Sequence, residues 1–345
     1  MQIGIVGLPN VGKTTLFNAL TRGHAKVERY PFTTIEPNIG VVKVPDERLG
    51  RLKELIEACE VTPATIKFLD IAGLVKGASK GEGLGNQFLA KIKEVEAIVH
   101  VVRCFSDPNI AHIAPDLNPI RDIEIVNLEL ALADLELIEK RREKIEKDPK
   151  AKEELKLLEK VQERLKQEGV PELNEKEREA LKGYHLLSLK PTLYVANLGE
   201  GGEIPEELKK YRAIGIYTKL ESEMQELPEE ERAQFRAELE IGEIGLERLI
   251  RESYRLLGLV TFFTLERKKL RAWTLEDGRN VREAAGKIHS DMEKGFIKAE
   301  VINYSELVSV GSLLKAREKG LLRIEGRDCK VREGDIITIK FHLTR

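Results

Sequence analysis

At 345 residues the chain is long enough for roughly two or three domains, and a hydrophobic fraction of 41% can fill their cores. Charged residues reach 34% but nearly cancel, to a formal net charge of −2, which excludes a global field for nucleic acid and leaves any RNA contact to a local patch. No apolar run approaches the ~18 residues that span a bilayer.

No leader segment is expected ahead of the first strand. Three scattered cysteines (Cys59, Cys104, Cys329) follow no metal-ligand spacing. Reduced thiols in a cytoplasmic protein are expected from that usage.

In chain order, the short apolar run of Ile3, Ile5 and Val6 predicts a buried strand. Leu16, Phe17, Ala19 and Leu20 predict one face of a helix. Between them stands Gly-Leu-Pro-Asn-Val-Gly-Lys-Thr over 7–14. Strand, Gly-x-x-x-x-Gly-Lys-Thr and helix together are what a phosphate-binding loop requires. Gly7 and Gly12 let the backbone turn so that its amides face an anion, and the helix N-terminus adds partial positive charge. Asn10, Val11, Gly12, Lys13, Thr14 and Thr15 are the candidate phosphate contacts. Lys13 reaches the β and γ phosphates as a catalytic cation, and the Thr14 hydroxyl is a candidate Mg²⁺ ligand.

Tyr-Pro-Phe-Thr-Thr-Ile-Glu-Pro-Asn over 30–38 reads as an extended, mobile segment. A threonine in such a segment can cap Mg²⁺ and sense the γ-phosphate. Thr34 is the choice and Thr33 the runner-up, against an ordinary exposed loop. Val41, Val42 and Val44 predict a strand, and Leu49, Leu52, Leu55 and Ile56 a helix.

Ile66 to Asp70 predicts a strand that ends in Asp-Ile-Ala-Gly. Asp70 can hold a Mg²⁺-bound water, and the Gly73 amide can meet the γ-phosphate. Residue 74 is leucine, where Ras-type GTPases place a glutamine that orients the attacking water. Leucine cannot hydrogen-bond a water, so slow intrinsic hydrolysis or another orienting group is expected. The glycine-rich stretch 77–86 is costly to order and suits a second switch.

Ala97 to Val102 predicts the next strand, and the loop after it carries His112. His112 can replace the missing glutamine; the plainer alternative is a surface-loop histidine.

Thr192 to Ala196 predicts a strand running into Asn197-Leu198-Gly199-Glu200, where GTPases use Asn-Lys-x-Asp to read guanine. Glu200 is one methylene longer than that aspartate. Either it still reaches guanine, or it turns away and Asn197 with Leu198 reads adenine; pocket logic favours ATP.

Between these two strands lie about ninety residues of different character. Leu128, Leu132, Leu135, Ile138 and Ile145, then Leu155, Leu158, Val161 and Leu165, predict two long helices folding back as an antiparallel coiled coil. The break falls at 147–150. Arg142 interrupts the seam, and Asn174 to Glu177 reads as a capping box. The charged helix faces are either solvated surface or a partner-binding surface.

From Leu259 short strands dominate: 261–265, 269–274, 296–302 and 335–341. A helix capped by Asn280 to Glu283 is expected to run to about Met292. The pattern predicts a small ubiquitin-like grasp fold used as a binding module. Trp273 reads as packing rather than as a nucleobase stacker.

The motifs at 7–14, 30–38, 70–74 and 77–86, with Asn-x-x-Glu at 197–200 and the region near 271–274, resemble the YchF subfamily of Obg-type P-loop NTPases over nearly the whole chain. The resemblance implies an α/β, Ras-like nucleotide domain at 1–120 and 190–258, a helical coiled-coil insertion at 121–189 and a TGS domain at 259–345. It implies Mg²⁺-dependent ATP hydrolysis with GTP tolerated, and association with ribosomes. A monomer without membrane or DNA partners is expected.

Leu74 is what the hydrophobic-substituted GTPase class shows. Asn10 stands where related potassium-activated enzymes hold K⁺. The last nucleotide motif, Ser-Ala-like in the family, is matched by Tyr217-Thr218-Lys219, so Thr218 is the contact carried over. Two other readings remain open: a GTP-specific translational GTPase, and an RNA- or protein-binding module that uses nucleotide only structurally.

Overall fold

The computed structural model describes all residues except 23–26, 29–37, 72–83, 113–115, 168–172, 229–230, 232–244, 267 and 343–345. Thr33, Thr34, Gly73 and Leu74, with most of the two segments 30–38 and 77–86 expected to act as switches, lie outside the described residues. Residues 1–40 and 67–249 form one compact unit, and residues 41–66 and 250–345 a second.

A seven-stranded sheet begins with β1 (Gln2–Val6), followed by α1 (Lys13–Arg22). It continues with β2 (Val27–Glu28) and β3 (Asn38–Lys43). After α2 (Arg48–Leu55) and a short β4 (Glu60–Thr62), which joins another sheet, come β5 (Thr65–Asp70), α3 (Leu84–Glu94) and β6 (Ala97–Cys104). Two packed helices follow, α4 (Pro119–Ile145) and α5 (Lys152–Lys166), then α6 (Glu175–Leu181). The chain returns through β7 (Thr192–Leu198), β8 (Ile214–Ile216) and α7 (Thr218–Met224) to α8 (Gly245–Leu256).

The strand order is β2-β3-β5-β1-β6-β7-β8. β5, β1, β6, β7 and β8 run parallel, with Ile5 opposite Asp70 and Val99, and Arg103 opposite Asn197. Their carboxyl ends therefore open on one side, which is where open α/β sheets bind ligands. The central strands are largely apolar because such a sheet is covered on both faces, and their polar residues, such as Asp70, Arg103 and Asn197, gather toward the carboxyl ends. Ile3, Ile5, Val6, Val99 and Val101 are buried, as are Leu16, Phe17, Ala19 and Leu20 of α1.

The expected seam of α4 needs one correction. Leu128 is exposed, and the buried face of the first half is Ile123, Val126 and Leu130. There α4 packs on β6 and the turn before β8, so the sheet chooses the face. From Ile138 to Ile145 it packs against Leu158, Val161 and Leu165 of α5. Arg142 is held by Gln162 and by Glu159 at 2.9 Å, so a polar clasp sits on the apolar seam. The break at Asp148 and the capping box at Asn174 form as the residues predict. Buried Asp134 anchors the return chain, accepting from the amides of Leu187 and Ser188 at 2.8 Å each and from the Ser188 hydroxyl at 2.6 Å.

In the second unit a hairpin of β9 (Leu259–Glu266) and β10 (Lys269–Glu276) precedes α9 (Val281–Ile288) and α10 (Ser290–Lys294). Then come β11 (Phe296–Asn303), α11 (Tyr304–Val310), α12 (Leu313–Glu318), β12 (Arg323–Glu325) and β13 (Asp335–Phe341). The sheet order is β12-β11-β13-β9-β10-β4. The helix expected to reach Met292 stops at Ile288. His289 is extended (φ −162°, ψ 140°), and its ring accepts the Asp291 amide to cap the next helix.

β4 pairs in parallel with β10, so residues 41–66 group with the C-terminal strands. Arg48 fastens them: it meets Asp46 at 2.7 Å and Glu333 at 2.5 Å and lies over the Phe263 ring. Trp273 packs beside Phe262 under the Arg271 guanidinium and donates Nε1 to Thr264 at 2.9 Å, which accounts for it as packing. Among the described residues no helix is long and apolar enough to cross a membrane.

Candidate nucleotide site

The loop leaving β1 turns at Gly7 (φ 150°), where a Cβ would stand 2.4 Å from the Val101 carbonyl oxygen of β6. Asn10 takes the left-handed conformation (φ 61°) at the apex, and Gly12 (φ 100°) leads into α1. A Cβ on Gly12 would fall 2.3 Å from Asn197 Nδ2. Both glycines therefore answer to close approach as well as to positive φ. The Asn10 side chain donates to the Ala111 carbonyl at 3.1 Å, tying the apex to the loop after β6.

Lys13 is buried, and its ammonium donates to the Leu8 carbonyl at 2.7 Å, across the loop it belongs to. Burial pushes it down to about 8, against the pull of the nearby Asp70 carboxylate. Asp70 closes β5, and one of its oxygens accepts the Thr14 hydroxyl at 2.8 Å. Its other oxygen, Oδ1, is buried and has no hydrogen-bond partner among the described residues. A buried carboxylate oxygen left in that state suits a hydrated divalent cation. Thr14 and Asp70 thus fit the expected Mg²⁺ role, with Thr34 outside the described residues.

On the other flank, Asn197 at the end of β7 donates Nδ2 to the Val11 carbonyl at 2.8 Å and accepts the Thr218 hydroxyl at 2.7 Å. One buried amide thus links the phosphate loop, β7 and the start of α7. Leu198 packs into the cluster of Val102, Ile123, Ala196 and Leu208. Glu200 is exposed on the loop beyond it. Tyr217 donates its hydroxyl to the Gly202 carbonyl at 2.7 Å, closing that loop against the turn before α7.

The structure therefore brings Asn10 through Thr15, Asp70, Asn197 and Thr218 together. His112 follows Ala111, which Asn10 holds, and its largely buried ring faces α4, with Nε2 3.0 Å from Asp122 Oδ2 but off the line of a hydrogen bond.

Two residues near the site carry no sequence signal. His100 sits inside the apolar run 97–102 and reads as core. It is fully buried, its ring tilted against that of Tyr194 with centroids 5.4 Å apart, and burial with the charge of Lys13 pushes it down to about 3, so it stays neutral. Arg103 ends the same run and reads as a strand-terminal cation.

The lysine makes affinity depend on pH. Bound triphosphate favours the charged form, whereas free Lys13 loses its proton near pH 8. Binding then takes up a proton above that pH, and affinity falls as pH rises through it. The dissociation constant of a fluorescent ATP analogue should be about tenfold higher at pH 9 than at pH 7. A flat profile would show that Lys13 does not change its protonation on binding.

A loop so built, opening the helix after the first strand and faced by an aspartate from the neighbouring parallel strand, makes this a P-loop nucleotide-binding protein. Residues 2–130 match the MMR_HSR1 family model, described as "50S ribosome-binding GTPase", and residues 259–342 match YchF-GTPase_C, described as "Protein of unknown function". The "Ribosome-binding ATPase YchF" of Bacillus subtilis (strain 168) is 47% identical, over 99% of this chain and 100% of that protein. Its namesake in Escherichia coli O157:H7 is 46% identical over 99% of each. The solved structure of the Schizosaccharomyces pombe YchF GTPase, 33% identical, superposes with a TM-score of 0.87 over 99% of this chain and 97% of that one. The chain belongs to the YchF family of Obg-type P-loop NTPases.

Proposed function

We propose that the protein binds Mg²⁺-ATP and hydrolyses it slowly to ADP and phosphate, as a nucleotide switch that works on the ribosome in the cytoplasm. The observation that carries the nucleotide part is the joint between Asn197, Val11 and Thr218, which braces the phosphate loop from behind while Lys13 and Thr14 face its mouth. Thr14, Asp70 and Thr34 would hold Mg²⁺, which draws charge from the β and γ oxygens when bound. Asn10 would offer its amide to a K⁺ ion. The Gly73 amide and His112 would orient the attacking water that Leu74 cannot.

ATP is preferred over GTP because Leu198 lies in the core and the carboxylate of Glu200 stands out in solvent, leaving no fixed acceptor for the guanine edge. Ribosome binding is inferred from the bacterial relatives, which are named ribosome-binding ATPases. The α4–α5 pair is read as the coiled-coil insertion within 121–189, and 259–345 as the TGS domain with a β-grasp fold. Both are candidate contact surfaces for ribosomal RNA or protein.

A second reading, a GTPase, is favoured by the S. pombe relative, which is called a GTPase, and by the GTPase family that residues 2–130 match. Competition of ATP and GTP for the purified protein separates the two. ATP should bind at least about tenfold more tightly, the discrimination expected when one partner's polar edge goes unpaired. The reverse order would overturn the ATP assignment.

A further inference from the structure

Arg103, next to last in β6, is buried at 4% exposure. Among the described residues no carboxylate pairs with its guanidinium. All three of its nitrogens instead donate to main-chain oxygens of one loop. Nε meets Phe105 O at 3.1 Å, Nη2 meets Asp107 O at 3.3 Å, and Nη1 meets Ile110 O at 3.1 Å and Ala111 O at a long 3.5 Å. The guanidinium also lies over the Phe105 ring, 4.5 Å from its centroid.

A buried cation without a counter-charge is costly. Charge-assisted bonds to carbonyls offset that cost, and each is roughly twice as strong as a neutral one. The planar fork of five donors is what lets one side chain gather both limbs of the loop; a lysine offers a single point of attachment. The far limb is also held from the other side, because Ala111 O accepts the Asn10 amide at the apex of the phosphate loop. The next residue is His112.

We propose that Arg103 is a positioning residue for hydrolysis. It clamps residues 105–111 between the end of β6 and the phosphate loop, and thereby sets where His112 stands when nucleotide is bound. The inference rests on the reading of His112 as the group that orients water, and its test separates the two.

The full-length parent, Arg103→Lys, His112→Ala and the double variant are compared in single-turnover ATP hydrolysis and in binding of a fluorescent ATP analogue. Arg103→Lys should slow hydrolysis about tenfold to a hundredfold, short of the roughly hundredfold or more that losing a general acid–base group outright costs, while the dissociation constant moves less than about threefold. The double variant should hydrolyse no more slowly than His112→Ala, since both changes remove one function. The amides of Asp107, Asn109, Ile110 and Ala111 should exchange hydrogen faster in Arg103→Lys than in the parent. Arg103→Gln, which drops the buried charge and keeps one donating nitrogen, serves if the lysine variant does not fold.

Parent-rate hydrolysis by Arg103→Lys beside a slow His112→Ala would overturn the inference and leave His112 in place. So would losses that multiply in the double variant. Parent-rate hydrolysis by His112→Ala would remove the His112 reading, and the inference with it.

Discussion

Exchanging Lys13 for methionine should abolish nucleotide binding and at the same time make the unliganded protein more stable. The two effects share one cause. The ammonium is buried, its one hydrogen bond among the described residues goes to the Leu8 carbonyl, and burial holds it at about 8 instead of its ordinary value. Folding without nucleotide therefore carries the cost of an under-solvated charge, which a triphosphate relieves.

Removing the charge forfeits two charge-assisted bonds to the β and γ phosphates, about 3–6 kcal/mol together, or at least a hundredfold in affinity. The unliganded fold should gain about 1–3 kcal/mol, the lowered pKa setting the upper end and the lost partner of Asp70 reducing it. The gain is full below pH 8. It shrinks as pH rises toward the unfolded value of 10.5, because the buried lysine then folds without its proton. Equilibrium binding and urea unfolding at pH 7 measure both halves. A variant less stable than the parent would show that the ammonium is already well solvated or paired.

The second large effect is expected at Gly12. Its φ of 100° disfavours any side chain, and the first carbon of one would stand 2.3 Å from Asn197 Nδ2 and 3.4 Å from the Thr218 hydroxyl. Asn197 cannot easily withdraw, because the same nitrogen is bonded to Val11 O and its oxygen to Thr218. Gly12→Ala should therefore cost about 2–4 kcal/mol of stability and at least about a hundredfold in ATP affinity, as strain and a broken buried network combine. Adding Asn197→Ala removes the collision but not the backbone strain, so only part of the stability should return. A Gly12→Ala protein that binds ATP within threefold of the parent would refute the strut.

Much of the fold was legible because its signals are local. Ile3, Ile5 and Val6 announce a strand by hydrophobicity alone, and Asn174 and Asn280 announce helix starts by capping chemistry. Other features depend on partners far along the chain. Leu128 has the spacing of a seam residue yet is exposed, because the sheet beneath α4 buries Ile123, Val126 and Leu130 instead. β4 is three residues long, and no periodicity could tell which sheet it would join.

The amino-acid order by itself determined that this chain grips phosphate: Gly7, Gly12, Lys13 and Thr14 lie within eight residues, and the geometry they need is that of one turn entering one helix. It likewise marked Asp70 as the acid at the end of the paired strand. Only the tertiary structure decided that Asn197 spends its amide on Val11 and Thr218, that His112 rests against Asp122, and that Arg103 holds the loop between them. Those pairings join residues up to 186 positions apart. They follow from parallel strands whose ends meet in space, whereas a sequence pattern records neighbours along the chain.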